Sequence, residues 1–116
     1  VVVIEDSIIR GTTGRSRIKS LRAVGDKEVH MLISCLPTRH PCYYGIDFPS
    51  NTELIASQKT VEEIRQYLDL DTLYYLSLEG MIKATGVNSD SFCKACFDGK
   101  YPVPPDTTFN KLSLGS

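Results

Sequence analysis

The fold is decided by residues 1–34, whose sequence is VVVIEDSIIRGTTGRSRIKSLRAVGDKEVHMLIS. Val1–Glu5 is a continuous, mostly β-branched run, the pattern of a strand that is covered on both faces of a parallel sheet. Gly14–Val24 has the spacing of an amphipathic helix, and Glu28–Ser34 is a second apolar run. Strand, loop, helix and strand make a βαβ unit, so we predict an α/β fold with a parallel sheet and a right-handed crossover.

The helix predicted over Gly14–Val24 has two distinct faces. Gly25 follows it and suits the left-handed conformation that often ends a helix. An apolar stripe is expected to face the sheet, and four basic side chains are expected to face solvent. The apolar residues are Ile18, Leu21 and Val24, and the basic residues are Arg15, Arg17, Lys19 and Arg22.

The remainder of the chain alternates loops with short regular elements. Cys35–Ser50 contains three prolines and a glycine, too many breakers for regular structure. Thr60–Glu63 is a capping box and begins an amphipathic helix that continues to Leu68. The other predicted elements are a short helix at Asn51–Ser57, a strand at Thr72–Leu76, a helix that Ser77 caps and Gly86 ends, and a tail without secondary structure from Asn88 onward, with Pro102, Pro104, Pro105, Thr107 and Thr108.

The composition is that of an ordinary globular protein. With 116 residues, 41% hydrophobic and 23% charged, the chain fits one folded domain, and wholesale disorder is excluded. Thirteen basic and fourteen acidic residues give a net charge of −1, so we expect neither nucleic acid nor a membrane as partner. No apolar run approaches the ~20 residues of a transmembrane helix. Because a buried central strand rarely begins a domain, we expect a fragment with further strands upstream of Val1.

The chemistry begins in the loop Glu5–Thr13, which follows the first strand. In open α/β sheets, ligands bind at the carboxyl ends of the strands. Gly11 lets a ligand approach the backbone closely, and Thr12–Thr13 place two hydroxyls at a helix N-terminus, where free N–H groups suit a phosphate. Glu5 and Asp6 suit sugar hydroxyls or Mg²⁺. Together these features indicate a phosphorylated sugar as ligand.

A less specific interpretation of the same loop stays open. An acidic strand end followed by a capped helix has similar residues, and many βα loops contain Gly, Thr and Asp. The loop matches neither the GxxxxGK[ST] pattern of a Walker loop nor the GxGxxG fingerprint of dinucleotide-binding proteins. Its spacing alone therefore does not decide between a ligand site and an ordinary connection.

Four cysteines indicate a second possible site. Cys93 and Cys96 form a CxxC pair, Cys42 lies in the proline-rich loop, and Cys35 lies seven residues before it. All four together would suit zinc or an iron–sulfur cluster. Alternatively, Cys35 is a small buried apolar residue at a strand end, as most free cysteines are. A redox function for the CxxC pair is disfavoured because the pair does not open a helix after a strand.

The loop is part of a longer run that resembles a known motif. Residues 1–13 resemble the phosphoribosyl-pyrophosphate (PRPP) motif of type I phosphoribosyltransferases. They are most similar to its form in the amidophosphoribosyltransferase family, the glutamine-dependent first enzymes of de novo purine synthesis. The resemblance covers nearly the whole chain, in order. It continues through His40–Asp47, Thr52–Ala56, Val61–Arg65, Tyr75–Gly80 and Phe92–Pro102.

The resemblance implies a reaction and a role for each residue of the loop. Ammonia from glutamine would attack PRPP and give phosphoribosylamine and pyrophosphate. Glu5 and Asp6 would be the catalytic acids, serving the ribose hydroxyls and Mg²⁺, although the family usually has Asp where this chain has Glu5. The residues implied to wrap the 5′-phosphate belong to Ser7–Thr13, namely Ser7, Arg10, Gly11, Thr12 and Thr13.

The resemblance also implies how this chain fits a larger enzyme. Residues 1–50 would be the C-terminal half of the phosphoribosyltransferase core, and residues 51–116 a helical extension with a cluster-binding tail. A glutaminase domain with a catalytic N-terminal cysteine would lie upstream. The complete enzyme would be a cytoplasmic homo-oligomer, a tetramer, that purine nucleotides inhibit at the PRPP site. The isolated fragment would be inactive.

For the cysteines, the resemblance implies a [4Fe-4S] cluster. Cys42, Cys93 and Cys96 match three ligand positions of the cluster-containing branch, whose fourth ligand would lie upstream. Cys35 matches no ligand position. In that branch the cluster is regarded as structural and oxygen-sensitive.

Two other functions compete with an enzyme fragment. One is a PRPP or nucleotide sensor that retains the loop without catalysis, and the other is a structural domain with a Cys₄ zinc site. Neither histidine is expected to be catalytic, and four tyrosines are expected to pack. These residues are His30, His40, Tyr43, Tyr44, Tyr74 and Tyr75.

Overall fold

The protein is described by a computed structural model over residues 1–47, 50 and 52–105. Three strands alternate with helices, as the βαβ pattern predicts. The elements are β1 at Val2–Glu5, α1 at Thr12–Ala23, β2 at His30–Ile33, α2 at Ile55–Gln58, α3 at Val61–Leu68, β3 at Thr72–Tyr75, α4 at Leu78–Thr85, a 3₁₀ turn at Ser89–Ser91 and α5 at Ala95–Asp98.

The strands form one parallel sheet in the order β1-β2-β3. Ile4 pairs with Leu32, and Leu32 with Tyr74, so these three side chains form a row on one face. All three strands point the same way, and their carboxyl ends therefore lie at one edge of the sheet. This confirms the predicted α/β class.

Only one face of the sheet is covered by described residues. Met31 and Leu73 lie on that face and pack with Ile18 of α1 and Ile64 of α3 in a single core cluster. The opposite face is open, and Ile4 is 64% exposed. The prediction that the first strand is covered on both faces is therefore wrong for the described structure, because no described helix packs over that side.

Helix α1 begins two residues earlier than predicted and ends one residue earlier, at Ala23. Gly25 follows with φ +104°, and its N–H donates to the carbonyl of Arg22. Ile18 is buried, which confirms the apolar stripe at that position. Val24 is 80% exposed because it lies beyond the last turn of the helix, so its assignment to the stripe is wrong.

The capping signals in the second half of the chain are confirmed. Thr60 Oγ1 accepts from the N–H of Glu63, and Glu63 Oε1 accepts from the N–H of Thr60, at 3.2 and 3.1 Å. Ser77 Oγ accepts from the N–H of Gly80 at the start of α4, and Gly86 ends that helix at φ +69°. The helix predicted at Asn51–Ser57 forms only from Ile55, as α2, so the prediction is wrong at residues 52–54, and Asn51 lies outside the described residues.

The tail is more ordered than its composition predicts. The Asn88 side chain caps the 3₁₀ turn, and Gly99 ends α5 in the left-handed conformation at φ +74°. Lys94 Nζ donates to the carbonyl and the hydroxyl of Ser89, joining the two short elements. The prediction of a tail without secondary structure is thus wrong at Ser89–Ser91 and Ala95–Asp98 and confirmed for residues 99–105, and Thr107 and Thr108 lie outside the described residues.

Both predicted parts of the chain contribute to one core. Ile64 and Leu68 follow the boundary predicted at residue 50, and they are fully buried in the same core cluster as residues that precede it. The division into 1–50 and 51–116 stays a prediction about the complete protein. Across the residues described, none of the helices has the length and apolarity to cross a bilayer.

Candidate functional site

A tight turn connects the end of β1 to the start of α1. Gly11 occupies this turn with φ +85°, a conformation that side-chain-bearing residues rarely adopt. A Cβ at this position would lie 2.8 Å from Ile55 Cδ1 and 3.3 Å from Tyr67 Cε1. Glycine is required here for two reasons, the backbone conformation and the lack of space.

Residues of α2 and α3, and Glu53 just before α2, contact this loop. The N–H of Ile55 donates to the carbonyl of Ile9 at 2.9 Å, and Arg10 Nε lies 3.7 Å from Glu53 Oε1. Tyr67 of α3 packs against Gly11, and the guanidinium of Arg15 lies 4.7 Å from the centre of its ring. The loop is therefore held by α2 and α3 as well as by its own strand and helix.

The first turn of α1 offers unsatisfied donors beside the loop. The N-cap is Gly11, so no side chain caps the helix, and its first turn contains no acidic residue. Thr12 and Thr13 are exposed there. Free backbone N–H groups, two hydroxyls and the positive end of the helix dipole together favour an anion such as a phosphate.

A cavity of about 300 Å³ opens between this helix end and the carboxyl end of β1. It brings together most of the residues predicted for the site. Asp6 does not line it; its carboxylate is exposed beside the cavity and accepts a 3.4 Å hydrogen bond from Ser7 Oγ. The predicted residues that do line it are Glu5, Ser7, Arg10, Gly11, Thr12 and Thr13.

Sequence reasoning missed Arg17 as a residue of this cavity. Arg17 lines it, and its Nη1 forms an ion pair with Glu5 Oε1. Arg17 is solvent-exposed as predicted, with 59% of its side chain accessible, and it lines the cavity in addition. The prediction of a solvent-facing side chain is wrong at Arg22, which is half-buried and donates to the carbonyls of Lys27 and Asp69, both at 2.7 Å.

Arg22 belongs to a network at the other end of the sheet, away from the cavity. Its Nη2 lies 3.0 Å from Asp71 Oδ2, which also accepts from the N–H of Val29 at 2.7 Å. These two donors, the Val29 N–H foremost, lower the pKa of Asp71. His30 Nδ1 lies 2.8 Å from Thr72 Oγ1 in the same region. His30 is therefore at the opposite end of the strands from the loop that follows β1.

The proline-rich loop and the CxxC segment are pinned together. The carbonyl of Cys96 accepts from the N–H groups of Arg39 and His40, at 3.0 and 3.1 Å. Tyr101 Oη donates to the carbonyl of Pro41 at 2.7 Å, and its ring meets that of Tyr43 edge-on at 5.3 Å. Cys42 and the CxxC pair are thereby brought to one end of the fold.

Three of the four tyrosines that were predicted to pack are exposed. Tyr43 and Tyr44 are 44% and 45% exposed and pack mainly against Tyr101, and Tyr74 is 63% exposed on the open sheet face. Tyr75 is partly buried against the core as predicted, and its hydroxyl is buried with no hydrogen-bond partner among the described residues. Burial raises the pKa of Tyr75 to about 12.

The Cys96 thiol is influenced both by burial and by the other three thiols. Burial raises the pKa of the Cys96 thiol to about 11, and the thiols of Cys35, Cys42 and Cys93 are close enough to add to the rise. Within the part of the chain that the structure describes, no three Cys, His or acidic side chains are grouped tightly enough to hold a single metal ion.

Known proteins match the chain over nearly its whole length. No family model matches. Amidophosphoribosyltransferase of Synechocystis is 48% identical over 98% of the chain, and that of Bacillus subtilis is 52% identical over 89%. Chloroplastic amidophosphoribosyltransferase 2 of Arabidopsis thaliana is 51% identical over 99%. The chain is homologous to amidophosphoribosyltransferases.

Solved structures of amidophosphoribosyltransferases have the same fold. The glutamine PRPP amidotransferase of B. subtilis, solved with ADP and GMP, superposes with a TM-score of 0.80 at 52% identity over 88% of the chain. A structure described as the allosteric regulatory enzyme of purine biosynthesis gives 0.81 at 50% identity. The chain spans only 23% of either structure. It spans 23% of the Synechocystis relative, 22% of the B. subtilis relative and 20% of the Arabidopsis relative.

The homologous segment includes both candidate sites. The alignment with the Synechocystis amidophosphoribosyltransferase covers 98% of the chain, so the loop after β1 and the cysteine-bearing end both fall within it. The homologous segment therefore contains the loop at the carboxyl end of β1 and the cysteines of the loop after β2 and of the C-terminal elements.

Proposed function

We propose that this chain forms the PRPP-binding part of an amidophosphoribosyltransferase. The observation that supports it most is the cavity after β1, where a braced glycine turn, an uncapped helix N-terminus and an acidic side chain meet. One end of the cavity suits the 5′-phosphate of PRPP, and the acidic end suits its ribose.

The proposed reaction is the transfer of a phosphoribosyl group to ammonia. A C–N bond forms at the anomeric carbon, the bond from that carbon to the pyrophosphate oxygen breaks, and the products are phosphoribosylamine and pyrophosphate. Ser7, Arg10, Gly11, Thr12 and Thr13 would bind the 5′-phosphate and fix the sugar so that the ammonia approaches along one line.

The acidic residues would stabilise the positive charge that develops on the ribose ring. Glu5 lies in the cavity wall, and Asp6 lies beside it with its carboxylate exposed. Both carboxylates are hard oxygen donors of the kind Mg²⁺ prefers, so they fit the ion that the family implies. When bound, Mg²⁺ would neutralise charge on the departing pyrophosphate.

Purine nucleotides are the proposed inhibitors at the same cavity. A nucleoside monophosphate has the ribose 5-phosphate group that the loop would recognise in PRPP. The B. subtilis relative was solved with ADP and GMP, which supports nucleotide binding in the family. The complete enzyme, which we propose to be a cytoplasmic homotetramer with a glutaminase domain, would supply the ammonia, and the isolated chain would not use glutamine.

We also propose that Cys42, Cys93 and Cys96 ligate a [4Fe-4S] cluster whose fourth ligand lies outside this chain. The hydrogen bonds from Arg39 and His40 to the Cys96 carbonyl support the proposal, because they hold the loop that carries Cys42 against the segment that carries the CxxC pair. A Cys₄ zinc site stays the alternative. The cluster would supply a structural cross-link.

The competing function is a sensor that binds PRPP without catalysis. The test is release of pyrophosphate by the complete protein with PRPP, Mg²⁺ and either glutamine or ammonia. We expect release with both nitrogen donors and none with PRPP alone beyond slow hydrolysis. Binding of PRPP without ammonia-dependent release would support the sensor and contradict the enzyme. Glutamine-dependent release by the 116-residue chain alone would contradict the need for a separate glutaminase domain.

A further inference from the structure

The ion pair between Arg17 and Glu5 gives Arg17 a role in the candidate site. Arg17 lies in the second turn of α1 and reaches back to the end of β1, where both side chains line the cavity. We propose that Arg17 is a positioning residue that fixes the Glu5 carboxylate in the cavity wall for contact with the ribose or its metal ion. The inference rests on the proposed function and adds a residue outside the thirteen-residue motif.

The contact leaves half of the carboxylate available. Arg17 pairs with Oε1 of Glu5, while Oε2 has no hydrogen bond or ion pair to any described residue. The Glu5 side chain is 23% exposed, so its carboxylate is open to the cavity without being freely solvated. A carboxylate held by one oxygen presents the other in a defined direction.

The length of the Glu5 side chain explains why it needs a partner. Glutamate has one more rotatable bond than aspartate, so its carboxylate samples more positions. Immobilising such a side chain on binding costs affinity, and pre-ordering it recovers that affinity. Arg17 provides this order before substrate arrives.

Other cations near the cavity do not supply the same contact. Arg10 lines the cavity, but its guanidinium lies near Glu53 on the outer side of the loop. Lys19, on the same helix, is exposed and does not line the cavity. Because the Arg17 side chain is 59% exposed, its ion pair is expected to add little to folding stability. Its effect should therefore appear in substrate binding.

The test is a double-mutant cycle in the complete enzyme, with Arg17→Met, Glu5→Asp and both together. Arg17→Met should raise the KM for PRPP about three- to tenfold, the range expected for one unrestrained side chain, with the melting temperature unchanged. In the Glu5→Asp background the same substitution should have no effect on KM. Arg17→Lys should restore most of the loss, and the charge-matched control Lys19→Met should behave as the unmodified enzyme.

The outcomes separate this inference from the proposed function. If the unmodified enzyme neither binds PRPP nor releases pyrophosphate, the proposed function is wrong, and the role inferred for Arg17 is wrong as well. If the enzyme is active and Arg17→Met leaves KM unchanged, only the inference is overturned. An equal rise in KM in both backgrounds would also overturn it, because Arg17 would then contact the substrate directly.

Discussion

At the residue scale, Gly11 controls the shape of the loop. Gly11→Ala should lower the free energy of unfolding by about 1–3 kcal/mol, because alanine is strained at φ +85° and its Cβ would meet Ile55 Cδ1. Urea denaturation measures this loss. Gly86→Ala is the matched control, since φ is +69° there and nothing lies within 4 Å of the added Cβ. Equal losses of unfolding free energy in the two variants would show that Ile55 moves aside without destabilising the protein.

Asp6 tests the acidic end of the site. In the complete enzyme, Asp6→Asn should lower kcat by an amount equivalent to roughly 2–4 kcal/mol, because one charge that stabilises the transition state is removed. Iron and sulfide content should stay unchanged, since the cysteines lie on other elements. Steady-state kinetics with ammonia as nitrogen donor isolates this step from the glutaminase. Undiminished turnover would remove Asp6 from the site.

Removing the hydroxyl of Tyr75 or of Tyr101 should affect the free energy of unfolding in different ways. Tyr75 Oη is buried without a partner among the described residues, so Tyr75→Phe should leave the free energy of unfolding unchanged or raise it by up to about 1 kcal/mol. Tyr101 Oη donates to the carbonyl of Pro41, so Tyr101→Phe should cost about 1 kcal/mol. Urea denaturation of both variants measures the difference. A loss at Tyr75 as large as that at Tyr101 would reveal a partner for its hydroxyl.

At the scale of elements, the cysteines link the loop after β2 to α5. In the complete enzyme, Cys42→Ser, Cys93→Ser or Cys96→Ser should abolish iron and sulfide content after anaerobic purification. Each should also raise protease sensitivity after Gly86. Hydrogen bonds from Arg39 and His40 to Cys96 already join these segments, so cleavage should increase without becoming complete.

Cys35→Ser is the control for those variants. Cys35 lies close to Cys96 but matches no ligand position, so iron content should be retained. Loss of iron in Cys35→Ser would show that all four cysteines of this chain form the site. Zinc in place of iron under anaerobic handling would support the structural-zinc alternative.

The elements also show which features a sequence reveals. The caps at Thr60 and Ser77 were predictable because each depends on residues three positions apart. The contact of Arg17 with Glu5 spans a loop and part of a helix, so helical periodicity alone assigned Arg17 to solvent. The position of the segment after Asn88 also depends on contacts of Cys96 and Tyr101 with the distant loop around Pro41, and local composition does not report such contacts.

At the scale of the whole molecule, the sheet has one packed face and one open face. The βαβ pattern was sufficient to predict parallel pairing and the position of the loop at the carboxyl ends of the strands. It could not predict that Ile4 and Leu32 stay exposed, because β-branched and apolar residues look alike whether or not a second layer covers them. The chain spans less than a quarter of its curated relatives.

The central claim is that the loop after β1 binds the 5′-phosphate of PRPP, and amide hydrogen exchange tests it most directly. In the complete protein, PRPP with Mg²⁺ should slow exchange in a peptide covering residues 7–14, where the first amides of α1 have no cap. Exchange should change little in a peptide covering α4, which follows β3, because β3 and β1 are the two outer strands of the sheet. Saturating PRPP that protects other segments and leaves residues 7–14 unchanged would contradict the account.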